Sequence, residues 1–311
     1  MQQALTKATI PAGALDIGQL DSAVEDAIEA GEAGSLRVLG YGEITLVLGW
    51  PSAGPELAVK RLPPFAGGEQ IDRYEDLLHG YVGALSGRGV PVIATELRRV
   101  AGRAPRGYLI QPLVPREQQL NLLLRDARTD RGAALLDVLA EHVVGAVDAE
   151  LGLDAQASNW AVDDGRLACF DVSTPLMRSP DGKHRLDLSL FLSIYPWALR
   201  RLLVPVAHSV MSQFHDARTV LLDVASNLVK EHLDRWLPQL LASANRRVSP
   251  PIDEAEVRRY FARDRRLWLL MQQLRRADRT WQRRVRHRPY PFLLPPPYHY
   301  GPPELPESEV P

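Results

Sequence analysis

The sequence is poor in cysteine and has no long uninterrupted apolar run. Its 311 residues include one cysteine, Cys169, which excludes an internal disulfide and a zinc site built from cysteines. The most apolar window, 186–206, is interrupted by Asp187, Arg200 and Arg201, so we expect no membrane span. The first 30 residues lack a basic start followed by an apolar stretch, and no signal peptide is indicated. A cytoplasmic protein is therefore expected.

The composition is that of an ordinary globular chain, with 45% hydrophobic and 24% charged residues. This length is enough for one two-lobed domain or two ordinary ones. The formal net charge of -1 hides an asymmetry, because residues 258–288 hold twelve arginines against Asp264 and Asp278. That segment carries +10 and the remainder -11, and the overall balance argues against a general nucleic-acid binder.

Apolar spacing and turn residues predict a small sheet followed by a mainly helical part. Predicted strands cover 36–39, 45–50, 56–62, 90–94 or nearby residues, and 108–113. Predicted helices cover 21–30, 69–86, 133–151, 186–244 with breaks, and 254–286. A hairpin of 160–162 with 167–172 is predicted around Asp163, Asp164 and Gly165, because Asp-Gly is a strong tight-turn signal.

Two glycines and one lysine lie in the predicted sheet. Gly40 and Gly42 are one residue apart between two strands, where a backbone without Cβ atoms can approach phosphate oxygens. An ordinary hairpin turn explains the glycines equally simply. Lys60 follows Ala58 and Val59 in a strand, and a buried ammonium there would need a partner. A surface edge strand is the alternative.

A second group of polar residues surrounds the predicted hairpin. Asp154 precedes Asn159 by five residues in the loop before the hairpin, and Asp171 ends its second strand. Carboxylate and amide oxygens are hard ligands that suit Mg²⁺. Each residue taken alone is also a common turn residue.

Taken together and in order, these features resemble the protein-kinase-like superfamily over residues 36–190. A glycine loop, Ala-Val-Lys, an acidic helix, an Asp-x4-Asn loop and a strand ending in aspartate follow one another as in the kinase signature. The resemblance implies an α+β, two-lobed fold with a small antiparallel-sheet N-lobe, one helix within it, and a larger, mostly helical C-lobe.

The resemblance also implies ATP and Mg²⁺ as cofactors and a role for each site residue. Asp154 would be the catalytic base, and Asn159 with Asp171 would bind the metal. The nucleotide would contact six residues: Gly40, Gly42, Lys60, Glu75, Gln111 and Leu113. Lys60 would pair with Glu75, although Glu69 and Asp76 compete for that place on the helix. Gln111 and Leu113 would flank the adenine-binding hinge, or form a simple bend.

The subtype resembles small-molecule kinases such as aminoglycoside phosphotransferases and choline kinases. Asp187-Leu188-Ser189 is similar to a motif that braces the catalytic loop in that branch, although Asp187 could equally be a helix N-cap. No Ala-Pro-Glu closes an activation segment, so the implied partners are a nucleotide and a small-molecule acceptor.

Several departures from the family leave a second function open. Gly152 and Leu153 replace the usual His or Arg before the catalytic aspartate, and Val172-Ser173 follow Asp171 in place of Phe-Gly. A pseudokinase that binds nucleotide or acts as a scaffold is the alternative to phosphotransfer. His208 and His215 lie on predicted helices and are most simply structural.

The expected organisation has five parts: an N-terminal helical segment (1–35), an N-lobe (36–114), a C-lobe (115–249), an arginine-rich helix packed on the C-lobe (250–288) and a proline-rich tail (289–311). Interleaved aromatic residues give the arginine-rich helix an alternative role in nucleic-acid binding. We expect packing on the acidic body instead, which makes a nucleic-acid partner unlikely.

Overall fold

A five-stranded antiparallel sheet forms the first lobe of the computed structural model, which describes residues 4–8, 10, 15–41, 46–102, 104–193 and 195–294. Its strands are β1 (Arg37–Tyr41), β2 (Leu46–Trp50), β3 (Leu57–Arg61), β4 (Glu96–Val100) and β5 (Arg106–Pro112). The spatial order is β1-β2-β3-β5-β4. Helix α2 (Gly68–Gly87) connects β3 to β4.

The second lobe is mostly helical, with one hairpin. Its helices are α3 (Leu120–Asp126), α4 (Thr129–Ala146), α5 (Leu188–Leu192), α6 (Trp197–Gln213), α7 (Ala217–Lys230), α8 (Leu237–Asn245) and α9 (Glu254–Arg284), and its strands are β6 (Trp160–Asp163) and β7 (Arg166–Cys169). The predicted α+β fold with a small antiparallel sheet and a larger helical part is confirmed.

The first helix, α1 (Ile17–Ala30), packs against the sheet and does not form a separate segment. Its buried face includes Leu20 and Val24, which share a core with Val59 and Ile110 of the sheet. Asp21 fixes the helix by accepting hydrogen bonds from Arg106 Nε and Tyr108 Oη, both at 2.7 Å. Burial opposes ionisation of Asp21, yet these bonds and the charge of Arg106 lower its pKa.

The opposite face of the sheet packs on α2 and continues into the second lobe. Tyr74 and Tyr81 of α2 belong to one hydrophobic cluster with Leu109 of β5 and Trp160 of β6. The sheet is therefore covered by α1 on one side and by α2 on the other. Side chains alternate along β3, so Val59 faces α1 while Lys60 faces the side of α2 and the second lobe.

The strand expected at 90–94 or nearby residues lies slightly later in the chain, as β4 at Glu96–Val100. Residues 91–93 instead meet the hairpin of the other lobe: Cys169 N donates to Pro91 O at 2.8 Å, and Ile93 N donates to Cys169 O at 2.9 Å. These two backbone bonds join the lobes at the end of β7. The free Cys169 is fully buried, as expected.

The hairpin turn is the one that Asp-Gly predicts. Asp164 and Gly165 have φ values of 47° and 74°, so both turn residues are left-handed, as a two-residue hairpin turn requires.

Helix α4 ends at Ala146, five residues before the expected end, and the sequence pattern does not predict α3. Within the part of the chain that is described, no helix is long and apolar enough to cross a membrane.

The arginine-rich helix α9 packs along α7 of the second lobe, beginning at the buried Val257. The start of the tail also packs on the body, since Tyr290 is 2% exposed and lies with Phe292 against Tyr195. Residues 290–294 form no helix or strand and pack on the body, as expected of a proline-rich tail without a core of its own. Residues 295–311 lie outside the described residues.

A close helix contact generates a stability prediction. Gly132 in α4 lies against the buried ring of Trp236, and a Cβ at this position would overlap that ring. Ala normally stabilises a helix relative to Gly by up to about 1 kcal/mol. We expect Gly132→Ala instead to lower the free energy of unfolding by about 1–3 kcal/mol, the usual effect of overpacking. Denaturant unfolding measures this change.

The matched control is Gly83→Ala, in the interior of α2, where a new Cβ meets no atom within 4 Å. It should leave the free energy of unfolding unchanged or raise it. Equal effects of the two substitutions would contradict the packing of Trp236 against α4.

Candidate active site

Lys60 reaches from the sheet to the residues that follow the hairpin of the second lobe. Its position in β3 is set by pairing with Val47 of β2 and Leu109 of β5. The Lys60 Nζ atom lies 2.9 Å from Asp171 Oδ2 and 2.6 Å from Ser173 Oγ. The Lys60 side chain is 19% exposed, so its charge is partly buried and has an anionic partner. The alternative of a surface edge-strand lysine is wrong, because β3 is the central strand of the sheet.

Asp171 is held ionised by its neighbours. Burial opposes its charge, but Lys60 and the hydrogen bonds from Ser173 outweigh burial and lower its pKa below the ordinary value. Ser173 donates to Asp171 Oδ1 from its hydroxyl at 2.7 Å and from its backbone N–H at 3.1 Å. The aspartate is therefore a carboxylate at neutral pH, with its orientation fixed.

Ser173 is a site residue that the sequence reasoning noted only as a departure from the family. Its side chain is 5% exposed and contacts both charged groups. Its carbonyl oxygen accepts a hydrogen bond of 2.9 Å from the Tyr74 hydroxyl of α2. The buried position of Tyr74, beside the charge of Asp171, raises its pKa. A polar residue two places after the aspartate that is predicted to bind metal is the sequence signal for Ser173, and nothing in the spacing indicates Tyr74.

Asp154 and Asn159 occupy one loop that is tied to the residue before Asp171. Asn159 Nδ2 donates to Asp154 O at 3.3 Å, and Phe170 N donates to Asn159 O at 2.9 Å. Because Trp160 pairs with Cys169 in the hairpin, Asn159 lies opposite Phe170. The Tyr81 hydroxyl is buried, and burial is the main reason why its pKa is raised. The negative charges of Asp154 and Asp171 raise this pKa further. The structure thus brings Asp154, Asn159, Asp171 and Lys60 to one region.

The expected partner of Lys60 on α2 is wrong in this structure. Glu75 forms an ion pair with Arg99 of β4, and Lys60 pairs with Asp171. Arg99 also reaches Asp72, one turn earlier on α2. The contact from α2 to the site is made by Tyr74, the residue before Glu75. Arg99 competes for Glu75 because its side chain reaches from β4 to α2, which the chain order does not reveal.

The predicted hinge residues are engaged within the protein. Gln111 Nε2 donates to Phe170 O at 2.6 Å and to Thr95 Oγ1 at 2.8 Å, so this side chain ties the sheet to the hairpin. Leu113 N donates to Glu56 O at 2.9 Å as a continuation of the β3–β5 ladder. The Leu113 N–H is therefore already used within the protein, and the adenine-binding hinge at 111–113 stays a prediction.

The glycine loop is described only in part. Gly40 is in β1 and pairs with Val47, after an irregularity in the register. A Cβ on Gly40 would meet no atom within 4 Å. Gly42 and the next three residues lie outside the described residues, so their predicted contact with phosphates stays a prediction.

The oxygen donors fit a magnesium ion shared with phosphate better than an ion enclosed by protein. Among the described residues, no group of three or more His, Cys, Asp or Glu side chains is arranged to hold a metal. Mg²⁺ usually takes one or two protein ligands and completes its shell with phosphate oxygens and water. The Asp171 carboxylate offers a charged oxygen to such an ion, and the Asn159 amide, which donates through nitrogen to Asp154 O, offers its oxygen as a second.

Asp187 is the N-cap of a helix, which is one of the two roles that the sequence predicts for this residue. Its Oδ1 accepts from Ser189 N at 3.0 Å at the start of α5, and its Oδ2 accepts from Gln70 Nε2 of α2 at 2.7 Å. Its side chain thus ties α5 to the beginning of α2.

His208 and His215, which are expected to be structural, form a small cluster with His184. The ring of His184 is 5.5 Å from that of His208 and 5.4 Å from that of His215. Burial and the nearby charge of Arg178 lower the pKa of His184 to about 4. His215 packs under Gly152, and Phe214 O accepts from Leu153 N at 3.1 Å. The cluster therefore supports the loop that carries Asp154.

Comparison with known proteins places the chain in a family. Residues 19–279 match the model of a family of unknown function, DUF6206, and the chain belongs to it. No curated protein matches the chain. One solved structure, WaaP in complex with acyl carrier protein, is similar to the chain at 15% sequence identity and a TM-score of 0.40, over 78% of this chain and 92% of that chain.

The bonds of Ser173 generate a prediction about the charge of Asp171. Ser173→Ala removes the hydroxyl that contacts Lys60 and Asp171 but keeps the backbone N–H bond. We expect the pKa of Asp171 to rise, because one of the groups that stabilise its charge is lost. Carboxyl-detected NMR titration measures this pKa directly.

Ser226→Ala is the control, since Ser226 in α7 is equally buried at 3% exposure and lies outside the site. It should leave the titration of Asp171 in place. An unchanged pKa in Ser173→Ala would mean that the hydroxyl has no electrostatic influence on the carboxylate.

Proposed function

We propose that this member of a family of unknown function is an ATP- and Mg²⁺-dependent phosphotransferase that acts on a hydroxyl of a small molecule. The observation that carries the proposal is the meeting of Lys60 and Asp171 at 2.9 Å from segments 111 residues apart. Asp154 and Asn159 lie in the loop bonded to the residue before Asp171. The groups proposed as phosphate-binding cation, metal ligands and carboxylate base therefore come from one region of the protein.

The proposed roles follow from the chemistry of each group. Lys60 holds phosphate oxygens through its ammonium, and Gly40 with Gly42 bring backbone N–H groups to the phosphates. Asn159 and Asp171 hold Mg²⁺, which supplies charge neutralisation on the transferred group. Asp154 orients the acceptor hydroxyl and takes its proton. Most of the rate enhancement then comes from positioning and electrostatics.

The segment after Asp171 favours a small acceptor over an extended peptide. Residues 177–185 fold back on themselves, with Arg185 N donating to Met177 O and Ser179 N to Lys183 O, both at 2.9 Å. The same segment pairs with the loop before Asp154 through Arg178 N to Glu150 O at 2.8 Å. This connection leads directly to α5 and leaves the acceptor to the helices that follow.

A nucleotide-binding protein without turnover is the second candidate, and one observation favours it. Lys60 is bound to Asp171 and Ser173, while Glu75 is bound to Arg99. For turnover, Lys60 and Asp171 must exchange this contact for phosphate and metal. A protein in which they do so without orienting an acceptor would bind nucleotide and transfer nothing.

The proposed roles predict a separation of binding from chemistry. We expect Asp171→Ala to abolish the Mg²⁺-dependent part of ATP binding, because it removes the charged metal ligand. Asp154→Ala should leave ATP affinity largely intact, because Asp154 faces the acceptor. Isothermal titration with Mg-ATP measures both, and equal losses of affinity in the two variants would show that the roles are misassigned.

The proposed base predicts a loss of turnover without a loss of binding. A positioned general base contributes about 10²–10⁴-fold to a rate, so Asp154→Asn should lose on the order of 10²-fold or more in kcat. The assay is transfer of labelled phosphate from ATP to acceptors in a fractionated metabolite extract. A wild-type protein that binds Mg-ATP but labels no fraction would favour the non-catalytic candidate.

A further inference from the structure

The exposed apolar side chains of this protein are concentrated on two helices. Nine large hydrophobic residues among those described are exposed, and six of them lie on α6, on α9 or directly after α9. These six are Leu202, Val204, Val206, Leu270, Trp281 and Val285. Leu202 is 70% exposed and Trp281 is 53% exposed, so most of each side chain takes no part in the packing of its helix. Leu202 and Val206, four residues apart, share one side of α6, and Leu270 and Trp281, three turns apart, share one side of α9. Exposed apolar residues that share a helix side in this way mark an interaction surface.

Arginines accompany these apolar residues along the outer side of α9. Arg259, Arg263 and Arg266 are exposed and spaced four and three residues apart, so they lie on one face of the helix. The same spacing continues through Leu270 to Trp281 and Arg284. Arg286 and Arg288 extend the basic end beyond the helix, and both are exposed. Arg259, Arg266 and Arg284 have no ion-pair partner within the described part of the chain.

The two helices form one surface that is fixed to the body. Tyr260 of α9 donates through its hydroxyl to Gln213 Oε1 at the end of α6 at 2.9 Å. Near the start of α6, Tyr195 packs with Phe292, and the guanidinium of Arg275 in α9 lies over the Phe292 ring. Arg283 anchors the far end of α9, donating through Nη2 to Ile28 O at 3.2 Å and to Glu29 O at 3.4 Å. At the other end, Val257 is fully buried. The exposed side of α9, about 45 Å long, is therefore presented on a rigid support.

We propose that the outer face of α6 and α9 binds the surface of an anionic lipid bilayer. Arginines pair with lipid phosphates while apolar side chains enter the boundary between headgroups and acyl chains, so such a surface uses both components. Five of the six exposed apolar residues are aliphatic, and nucleic acid offers them nothing to pack against. Trp281 is the one aromatic residue of the six, which is too few for a base-stacking surface.

The test is co-sedimentation of the full chain with vesicles. Vesicles of phosphatidylcholine mixed with phosphatidylglycerol should bind the protein, and binding should weaken as salt rises. Vesicles of phosphatidylcholine alone should bind it at least about tenfold more weakly, because the charged component is missing. Equal binding to the two kinds of vesicle, or none to either, overturns the proposal.

Two groups of variants test the two components separately. The triple variant Arg284→Gln, Arg286→Gln and Arg288→Gln should weaken binding to the mixed vesicles about tenfold or more. The double variant Leu202→Ser and Trp281→Ser should also weaken it, because both side chains are proposed to enter the bilayer.

The charge-matched control is Arg125→Gln, Arg131→Gln and Arg166→Gln, which removes three exposed arginines elsewhere on the protein. It should bind the mixed vesicles as the wild type does. An equal loss in this control would mean that net charge alone drives binding and would overturn the assigned face. Double-stranded DNA that binds as tightly as the vesicles, with no effect of the Leu202 and Trp281 substitutions, would assign the face to nucleic acid instead.

Discussion

The contact of Lys60 with Asp171 requires the two lobes to be held in a fixed relation. A partly buried ammonium and carboxylate are each costly to remove from water unless they meet in good geometry. That geometry is secured by backbone bonds between Cys169 and residues 91–93, and by Gln111, whose side chain reaches Phe170 O. The joining of the lobes and the assembly of the site are therefore one constraint. A change that shifts the hairpin against the sheet must also separate the charged pair.

The same constraint explains how α2 is connected to the site. Tyr74 contacts Ser173 O, and Ser173 contacts both Lys60 and Asp171, so α2 acts through a neutral hydroxyl. Glu75, the next residue of α2, forms an ion pair with Arg99 of β4. In the proposed reaction, Mg²⁺ and phosphate would replace the contact between Lys60 and Asp171, since each charged group would gain a ligand of opposite sign. Ser173 lies where it can keep Asp171 oriented during that exchange.

The arginine-rich helix combines a structural and an exposed side. Its inner side packs along α7 and, through Arg283, reaches the carbonyl groups at the end of α1 in the other lobe. Among the described residues, charged contacts between this helix and the body include Arg258 with Asp234 at 3.8 Å and Glu256 with Arg218 at 2.7 Å. The exposed arginines Arg259, Arg263 and Arg266 of its outer side belong to the proposed lipid-binding face.

Local patterns determined the parts of this protein that depend on neighbouring residues. The Asp164-Gly165 turn, the loop from Asp154 to Asn159 and the alternation that turns Lys60 away from Val59 all follow from spacing and backbone preference. The α+β class with its small sheet and helical lobe was predictable for the same reason. Tertiary structure alone decided which acid meets Lys60, where the fourth strand lies and that α1 covers the sheet. Each of these depends on competition between groups distant in sequence, such as Arg99 for Glu75 and the hairpin for residues 91–93, and spacing along the chain carries no information about the outcome of that competition.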